Sequence, residues 1–266
     1  MAHYVIGDIH GCFDEFSLLL SYIENQDNNA NILLLGDIID RGPKVIEMLN
    51  WAMEHISPTG RYRMIMGNHE LEAIDWFHYH FIPWYESLDF NRKMPDTQYD
   101  FSSVIFRNGL LYPHLLKPII HFFESLPYYM SLEIDSEYHY TARLAHAWYP
   151  DKNYIPDCNE EDYVWSREHI DKEFEDLTNE NAILIHGHTP TMDRHCKLNG
   201  STGGEIWFKK NSINLDCGCC YKKYHGRLAA LCLETFSEYY CDGISVTEKN
   251  NPSEGKDSMK KRFSKI

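Results

Sequence analysis

The chain has 266 residues, a formal net charge of −15 and a hydrophobic content of 43%. A charge this negative argues against a general nucleic-acid binder, because phosphate backbones require a basic surface. No run approaches the roughly 18 apolar residues of a membrane-spanning helix, and the N-terminus lacks the basic and apolar segments of a signal peptide. These features predict a cytoplasmic protein with no nucleic-acid or membrane partner, long enough for a full α/β core.

Four short apolar runs share one pattern, in which a glycine ends the run and polar residues able to bind metal follow at once. Continuous apolar runs of this length are typical of strands buried on both faces. The four segments are Tyr4 to Gly11, Ile32 to Gly42, Met64 to Glu70, and Ile183 to Pro190.

Helical patterns lie between the first three runs. Apolar residues recur at helical spacing from Phe13 to Glu24, and Pro43 stands at a helix start before Val45. Because strands alternate with helices, we expect the carboxyl ends of the strands to open on the same edge of a sheet. Active sites of open α/β sheets lie at that edge, and all four polar clusters fall there.

The remainder of the chain contains an aromatic segment, several predicted strands and a polar C-terminal segment. The aromatic segment from His78 to Tyr129 is predicted to be helical, with most of its rings in the core, and a helix is predicted from Asp162 to Leu177. Beyond Glu248 the chain is polar and rich in lysine, so residues 249–266 are predicted to be a disordered tail after a single domain of residues 1–248. Strands are predicted at Tyr138 to Ala145, Ile206 to Phe208, Ser212 to Leu215, and Arg227 to Leu233.

The eight cysteines are predicted to be reduced thiols, because the chain is long and has no secretion signal. The segment Cys217-Gly-Cys219-Cys220 suggests zinc, but it lacks the two-residue gap of zinc knuckles and has no partner pair. We therefore expect these cysteines to be buried packing residues.

The polar clusters supply carboxylate, imidazole and amide groups but no thiolate. This is the ligand set of a borderline divalent ion such as Mn²⁺, Fe²⁺ or Zn²⁺. A further histidine, His146, follows the predicted strand that ends at Ala145. The clusters contribute Asp8, His10, Asp37, Asp40, Asn68, His69, His186 and His188.

Four motifs resemble those of the calcineurin-like metallophosphoesterases, in particular the phosphoprotein phosphatase branch and its compact bacterial and phage enzymes. They are Gly7-Asp-Ile-His-Gly11, Gly36-Asp-Ile-Ile-Asp-Arg-Gly42, Gly67-Asn-His-Glu70, and Gly187-His188-Thr189. Weaker matches include Val164-Trp-Ser-Arg-Glu168 and Asn214-Leu-Asp-Cys-Gly218. The resemblance covers about residues 3 to 235 and implies an α/β fold of four layers, α/β/β/α, in which a β-sandwich is flanked by helices.

The resemblance implies two divalent metal ions, with Mn²⁺ favoured and Fe or Zn as alternatives. Asp8 and His10 would bind the first ion and Asp37 would bridge the two. A water shared between the ions would lose a proton near neutral pH and act as the nucleophile. The second site would be completed by Asn68, His146 and His188.

The same resemblance implies roles for the neighbouring residues. His69 would protonate the leaving oxygen, and Asp40 would orient its imidazole and favour its charged form. Arg41 and Arg167, together with Asn68, would bind the phosphoryl oxygens, a task that suits a planar fork of donors. His186 is expected to have a structural or supporting role, because His188 occupies the ligand position.

The leading functional prediction is a metal-dependent phosphomonoester hydrolase of the serine/threonine protein phosphatase type. Its partner would be a phosphorylated protein or a small phosphomonoester. A symmetrical diadenosine tetraphosphatase is the alternative, disfavoured because that branch often lacks the Asp found here as Asp40. An inactive phospho-ligand binding module is the third reading. The sequence departs from the family pattern at Met66, where related enzymes often have Arg, and after His146, where related enzymes usually have a glycine.

Overall fold

A computed structural model describes residues 2–87, 93–110, 112–149, 159–167, 179, 181–192, 204–249 and 254–264. Within these residues the strands form two sheets. The first sheet has six strands in the order β11-β10-β9-β1-β2-β3, and β1, β2 and β3 run parallel. Its strands are β1 His3–Ile6, β2 Asn31–Leu34, β3 Tyr62–Met64, β9 Leu228–Cys232, β10 Glu238–Cys241 and β11 Val246–Lys249.

The second sheet has five strands in the order β4-β5-β6-β8-β7, of which β5, β6 and β8 run parallel. The predicted strands of this half of the chain are present with ends that differ by only one or two residues. The five strands of this sheet are β4 Tyr129–Asp135, which has no counterpart among the predicted strands, β5 His139–Ala145, β6 Ala182–His186, β7 Trp207–Phe208 and β8 Ser212–Asn214.

Helices connect the strands and cover the sheets. Asn68 begins a continuous helical run to Glu86 that widens into one π-helical turn, Trp76–Phe81. A short 3₁₀ helix lies at Lys222–Tyr224. The α-helices are α1 Phe13–Gln26, α2 Val45–His55, α3 Asn68–Asp75, α4 Ile82–Glu86, α5 Phe101–Arg107, α6 Pro113–Glu124, α7 Asp162–Trp165 and α8 Glu254–Phe263.

Buried side chains form two apolar clusters that correspond to the layers. One cluster lies between the two sheets and contains alternate residues of the strands, such as Val5, Leu33 and Ile185. The other lies between the sheets and the helices and takes the intervening residues, such as Ile6 and Leu34. The strands β1, β2 and β6 are thus buried on both faces, as their continuous apolar sequences predict. Two sheets flanked by helices confirm the predicted fold class.

The prediction that all four polar clusters lie at the edge of a single sheet is wrong in one respect. The strand β6 belongs to the second sheet, whereas β1, β2 and β3 belong to the first. The polar clusters still meet, because the two sheets face each other and their carboxyl ends adjoin. A hydrogen bond of 2.7 Å from His146 Nδ1, after β5, to the carbonyl oxygen of Leu35, after β2, joins the two edges.

The middle of the chain is largely helical, as predicted, with α4, α5 and α6 among its elements. Many of its large rings lie in the core, including Phe81, Phe101 and Phe123. The predicted helix from Asp162 begins at that residue, but the described part ends at Trp165, and residues 168–178 lie outside the described residues.

The C-terminal segment corrects the prediction of a disordered tail. Residues Glu254–Phe263 form α8, and Met259 and Phe263 are buried in the cluster between the sheets. These two residues are four positions apart, so they lie on one face of the helix. Lys256 is also buried and forms an ion pair of 2.8 Å with Glu238. The polar composition concealed this short apolar face.

No helix among the described residues is long and apolar enough to cross a membrane. The six described cysteines are free; Cys158 and Cys196 lie outside the described residues. Cys217 and Cys219 are buried, as expected, whereas Cys220 is only partly buried. Cys217 belongs to the apolar cluster between the sheets and Cys219 to the cluster on the helix side.

Candidate metal centre

The residues predicted to bind metal follow strand ends in turns whose backbone is unusual. Asp37 has a φ of +49° and His10 a φ of +47°, and His188 has a φ of +68°. Asp40 and Arg41 share this left-handed conformation, with φ of +67° and +64°. Residues other than glycine rarely adopt this left-handed backbone conformation, and those that do are concentrated at functional sites. The turns therefore hold these residues in strained backbone conformations that direct their side chains into the site.

Asp37 lies at the centre of a buried group of imidazoles. Its Oδ2 atom is 3.3 Å from His146 Nε2, 3.6 Å from His10 Nε2 and 3.8 Å from His69 Nε2. All four residues are buried. One carboxylate oxygen thus faces three ring nitrogens that come from both sheets of the fold.

The far nitrogens of two of these rings are anchored on the backbone. His146 Nδ1 lies 2.7 Å from the carbonyl oxygen of Leu35, and His10 Nδ1 lies 2.9 Å from that of Ile39. A carbonyl can only accept, so each Nδ1 carries a hydrogen. When the ring is neutral, Nε2 is then free to bind a cation, which is the usual arrangement of metal-binding histidines.

Asn68 and Asp8 complete the arrangement on the side of the second sheet. Asn68 Oδ1 is 3.0 Å from His146 Nε2 and 2.8 Å from His188 Nδ1. The backbone N–H of His188 donates to both oxygens of Asp8, at 3.3 and 3.1 Å. Gly187 permits this approach, because a Cβ atom there would lie 2.0 Å from Asp8 Oδ1.

Two sets of possible ligands share Asp37. His10, Asp37 and His69 form one set and Asp8, Asp37 and His146 form the other, each with ligand atoms within 4.8 Å of one another. The predicted division placed Asp8 with His10 and left His69 outside the ligands. In the described structure His69 also lies beside His10, and Asp8 also lies beside His146.

The electrostatics of the site favour positive charge between its carboxylates. Burial would raise the pKa of Asp37, but His146 and His69 outweigh it and hold that pKa well below its usual value. Burial lowers the pKa of His146, but Asp37 and then Asp8 prevail and raise it to about 10. Burial, followed by Asp216 and Asp37, raises the pKa of Asp8 well above its usual value.

Among the described residues, the buried carboxylate oxygens without a hydrogen-bond partner include two at the site, Oδ2 of Asp216 and Oδ1 of Asp40. Asp216 is 1% exposed, and burial raises its pKa to about 6. Unpartnered buried carboxylate atoms beside further carboxylates are costly unless a cation balances them. The donor set, its burial and these free oxygens together fit divalent cations. The weak match around Asn214 includes Asp216, but it assigned that residue no role.

His69 and Asp40 form a buried pair, with 2.6 Å between Nδ1 and Oδ2. Asp40 was expected to favour the charged ring. Burial has the largest effect on the pKa of His69 and lowers it, and Arg41 and His146 lower it further. Asp37 acts in the opposite direction, but the net result is a pKa of about 4. Burial, followed by Asp100, raises the pKa of Asp40 to about 9. At pH 7 the pair holds the same two protons that an imidazolium–carboxylate pair would hold.

Both predicted arginine clamps contact histidines of the site. Arg41 Nη2 lies 2.9 Å from His69 Nε2, and Arg41 Nη1 contacts His10 Nε2. Arg167 Nε donates to His188 Nε2 at 3.0 Å. Both arginines are exposed while the histidines are buried, so the guanidinium groups lie on the solvent side of the centre.

Two tyrosines that the sequence analysis missed flank Arg41. Its guanidinium carbon lies 5.4 Å from the ring centroid of Tyr99 and 5.9 Å from that of Tyr221. The Tyr99 ring also stacks on His69 with 3.7 Å between centroids. No motif marks these tyrosines, and only the abundance of aromatic residues around Tyr99 could have drawn attention to it.

Glu70 was quoted only as the last residue of a motif, yet it supports the bridging residue. It is fully buried, and its carboxylate accepts the backbone N–H groups of Asp37 at 2.8 Å, Ile38 at 2.9 Å and Gly67 at 3.1 Å. These bonds hold the turn that carries Asp37 against the start of α3.

His186 and Met66, the two uncertain positions, lie beside the centre. His186 ends β6 and is not a member of either ligand set that shares Asp37 among the described residues. Met66 is buried in the helix-side apolar cluster, and its N–H donates to the carbonyl oxygen of Pro127 at 2.8 Å.

Two ligand sets joined by one carboxylate, at the facing edges of two sheets, define the class of a metal-dependent hydrolase. The profile of the calcineurin-like phosphoesterases matches residues 1–192. The chain belongs to this family, as its motifs predicted, and the family uses a dinuclear divalent metal centre.

Curated relatives match over a short stretch. The symmetrical bis(5'-nucleosyl)-tetraphosphatase of Neisseria meningitidis is 42% identical over 74 residues, which covers 28% of this chain and 26% of that protein. The enzyme of the same name from Neisseria gonorrhoeae is 44% identical over 71 residues, covering 27% of this chain and 25% of that protein. The match thus spans about a quarter of each relative's length.

Solved structures share the fold over nearly the whole chain. A candidate diadenosine tetraphosphatase covers 94% of this chain and 95% of its own, with a TM-score of 0.52 and 14% identity. A cold-active protein-tyrosine phosphatase of Shewanella covers 93% of this chain and 80% of its own, with a TM-score of 0.56 and 15% identity. At such low identity these likenesses concern the fold alone.

Proposed function

We propose that this protein uses two divalent cations, with Mn²⁺ favoured, to hydrolyse a phosphoanhydride in a dinucleoside tetraphosphate. The observation that carries the proposal is the membership of Asp37 in both ligand sets. Asp8 and His10 would hold one cation with Asp37, and the other would be held by Asp37, Asn68, His146 and His188. The cations would neutralise phosphoryl charge and lower the pKa of a water molecule.

The remaining residues would handle the substrate and the proton. Arg41 and Arg167 would exchange their contacts with histidine nitrogens for contacts with phosphoryl oxygens, with Asn68 beside them. His69 would then have Nε2 free to protonate the leaving oxygen, while Asp40 holds the ring through Nδ1 at 2.6 Å. Arg41 therefore has to leave His69 Nε2 before that proton can move.

Two observations support a dinucleotide over the phosphomonoester that the motifs favoured. The two Neisseria relatives are named symmetrical bis(5'-nucleosyl)-tetraphosphatases, and they match this chain over about a quarter of their length. Tyr221 is 37% exposed beside Arg41, and an aromatic ring so placed can stack on a nucleobase. Symmetrical cleavage would break the central anhydride and yield two nucleoside diphosphates.

A phosphomonoester, including a phosphorylated protein, is the second candidate. It is supported by the intact pair of Asp40 and His69, since a poor alkoxide leaving group needs protonation more than a nucleotide does. Two arginines suffice to bind one terminal phosphoryl group, and the net charge of −15 disfavours a highly anionic dinucleotide outside the cleft.

A panel of three substrates separates these candidates. The purified protein, supplied with Mn²⁺, is assayed for kcat/KM on diadenosine tetraphosphate, a phosphothreonine peptide and an aryl phosphate, and the nucleotide products are resolved by chromatography. We expect the dinucleotide to be preferred and to yield ADP as the only nucleotide product. A tenfold preference for either monoester would establish the second candidate, and no turnover of any substrate would favour an inactive binding module.

A further inference from the structure

A second group of possible metal ligands lies outside the Asp37 centre. Cys12, Glu15 and Cys219 each contribute a ligand atom, and these atoms all lie within 4.8 Å of one another. All three residues are buried, with exposures of 2%, 4% and 1%. Glutamate is rarely buried unless it is paired, and the carboxylate of Glu15 faces these two thiols in addition to its ion pair with Lys222.

The fold brings this group together from two distant segments. Cys12 stands at the N-cap of α1 and Glu15 lies in its first turn, three positions later, so the two share one helix face. Cys219 follows β8 in the loop that also carries Asp216 and Tyr221. A hydrogen bond with Cys12, followed by burial, raises the pKa of the Cys219 thiol well above its usual value, which reflects the close approach of the sulfur atoms.

The distances suit a small cation. Two thiolates bound to zinc at about 2.3 Å in a tetrahedron lie about 3.7 Å apart. Side chains whose ligand atoms are already within 4.8 Å of one another need only small rotations to reach that geometry. The cysteine spacing around Cys217 lacked a partner pair in the sequence, and the fold supplies Cys12 and Glu15 in its place.

The charges also balance. A divalent cation with two thiolates and one carboxylate leaves one negative charge, and the ammonium group of Lys222 contacts Glu15 Oε1. A carboxylate has two oxygens, so Glu15 can accept from Lys222 with one and face a cation with the other. Thiolates favour zinc over manganese, which sets this group apart from the donors around Asp37.

We propose that Cys12, Glu15 and Cys219 form a site for a thiophilic divalent cation, of which zinc is the representative. Its role is structural. Cys12 lies two residues after His10, and Cys219 lies three residues after Asp216, so the cation fastens together two loops that border the Asp37 centre. The site needs no substrate and leaves the proposed hydrolysis unchanged in mechanism.

Cobalt titration tests this proposal without any activity measurement. The full-length protein, stripped with a chelator and with its thiols shown to be reduced, is titrated with Co²⁺ while the near-ultraviolet sulfur-to-cobalt charge-transfer band is recorded. The described residues of the Asp37 centre include no thiolate, so that centre gives no such band. We expect the band in the wild type and in Asp37→Asn, with loss on addition of Zn²⁺.

Single substitutions identify the residues that give rise to the charge-transfer band. We expect it to disappear in Cys12→Ser and Cys219→Ser, to weaken in Glu15→Gln, and to persist in Cys232→Ser, a buried cysteine of β9 that serves as the matched control. Circular dichroism shows which variants are folded. A reduced wild-type protein that gives no band overturns the proposal whatever the variants do, and so does a band that survives in folded Cys12→Ser and Cys219→Ser.

Discussion

At the scale of single residues, the site depends on backbone conformations that side chains normally avoid. Asp37 and His10 both have positive φ, at a cost of about 1–3 kcal/mol each. Neither conformation is visible in the sequence, because it is imposed by the surrounding turns. Glu70 supplies part of that constraint through its bonds to the N–H groups of Asp37 and Ile38.

The motifs predicted most of the residues that meet at the centre, because each motif ends a buried strand. They did not predict Tyr99 or Tyr221, which lie on irregular segments and reach Arg41 only through the tertiary fold. They also predicted a charged His69, whereas burial and Arg41 lower the pKa of this ring to about 4. Its pKa depends on burial and on Arg41, neither of which is encoded by local spacing.

Replacement of His69 by asparagine tests its role as the proton donor. His69→Asn is expected to slow the hydrolysis of substrates with poor leaving groups by about 10²–10⁴, the usual contribution of general acid catalysis. Substrates with good leaving groups should be affected less, because they need less protonation. The measurement is kcat across a leaving-group series.

The matched control for this prediction is His121→Asn, whose side chain is 87% exposed on α6. It should leave the rate unchanged for every substrate. Equal losses in His69→Asn across the whole series would assign His69 another role, such as cation binding.

Replacement of Tyr221 by alanine tests whether its ring holds a nucleobase. Tyr221→Ala is expected to raise KM for diadenosine tetraphosphate roughly tenfold, since stacking on one base contributes about 1–3 kcal/mol. KM for an aryl phosphate that lacks a base should change little. Tyr224→Ala, three residues away and 69% exposed, is the control. An equal rise in KM for both substrates would contradict base stacking.

At the scale of elements, the apolar strands and amphipathic helices were readily predicted, because burial on one or both faces leaves a clear pattern. The assignment of β6 to a second sheet was not, since pairing partners depend on long-range packing and not on local sequence. The helix α8 was missed for a different reason. Its described apolar face consists of Met259 and Phe263, and two residues are too few to show a helical periodicity in a segment rich in lysine.

Substitution within α8 tests whether this helix is part of the folded domain. Met259→Ala is expected to lower the free energy of unfolding by about 2–5 kcal/mol, because it leaves a cavity between the two sheets. Chemical denaturation measures this change. Lys261→Ala, on the exposed side of the same helix, should change it by less than about 0.5 kcal/mol. Equal stability of the two variants would restore the interpretation of a disordered tail.

At the scale of the whole molecule, the centre exists only where the two sheets meet. Asp8 and Asp37 come from the first sheet, and His146 and His188 come from the second. The bond from His146 to the carbonyl oxygen of Leu35 and those from the N–H of His188 to Asp8 join them. Asp37 is the residue that both ligand sets share, so the whole account depends on it.

The most direct test measures metal content and turnover in Asp37→Asn beside the wild type. Asp14→Asn, an exposed carboxylate of α1 that pairs with Lys44 at the surface, is the matched control. We predict that the wild type and Asp14→Asn, loaded with Mn²⁺, are active and hold two manganese ions by elemental analysis, counted separately from any zinc at the Cys12, Glu15 and Cys219 site. Asp37→Asn should lose metal and turnover together, because a neutral amide cannot hold two cations. An Asp37→Asn protein with two tightly held manganese ions and a near-normal rate would contradict a bridging role for Asp37.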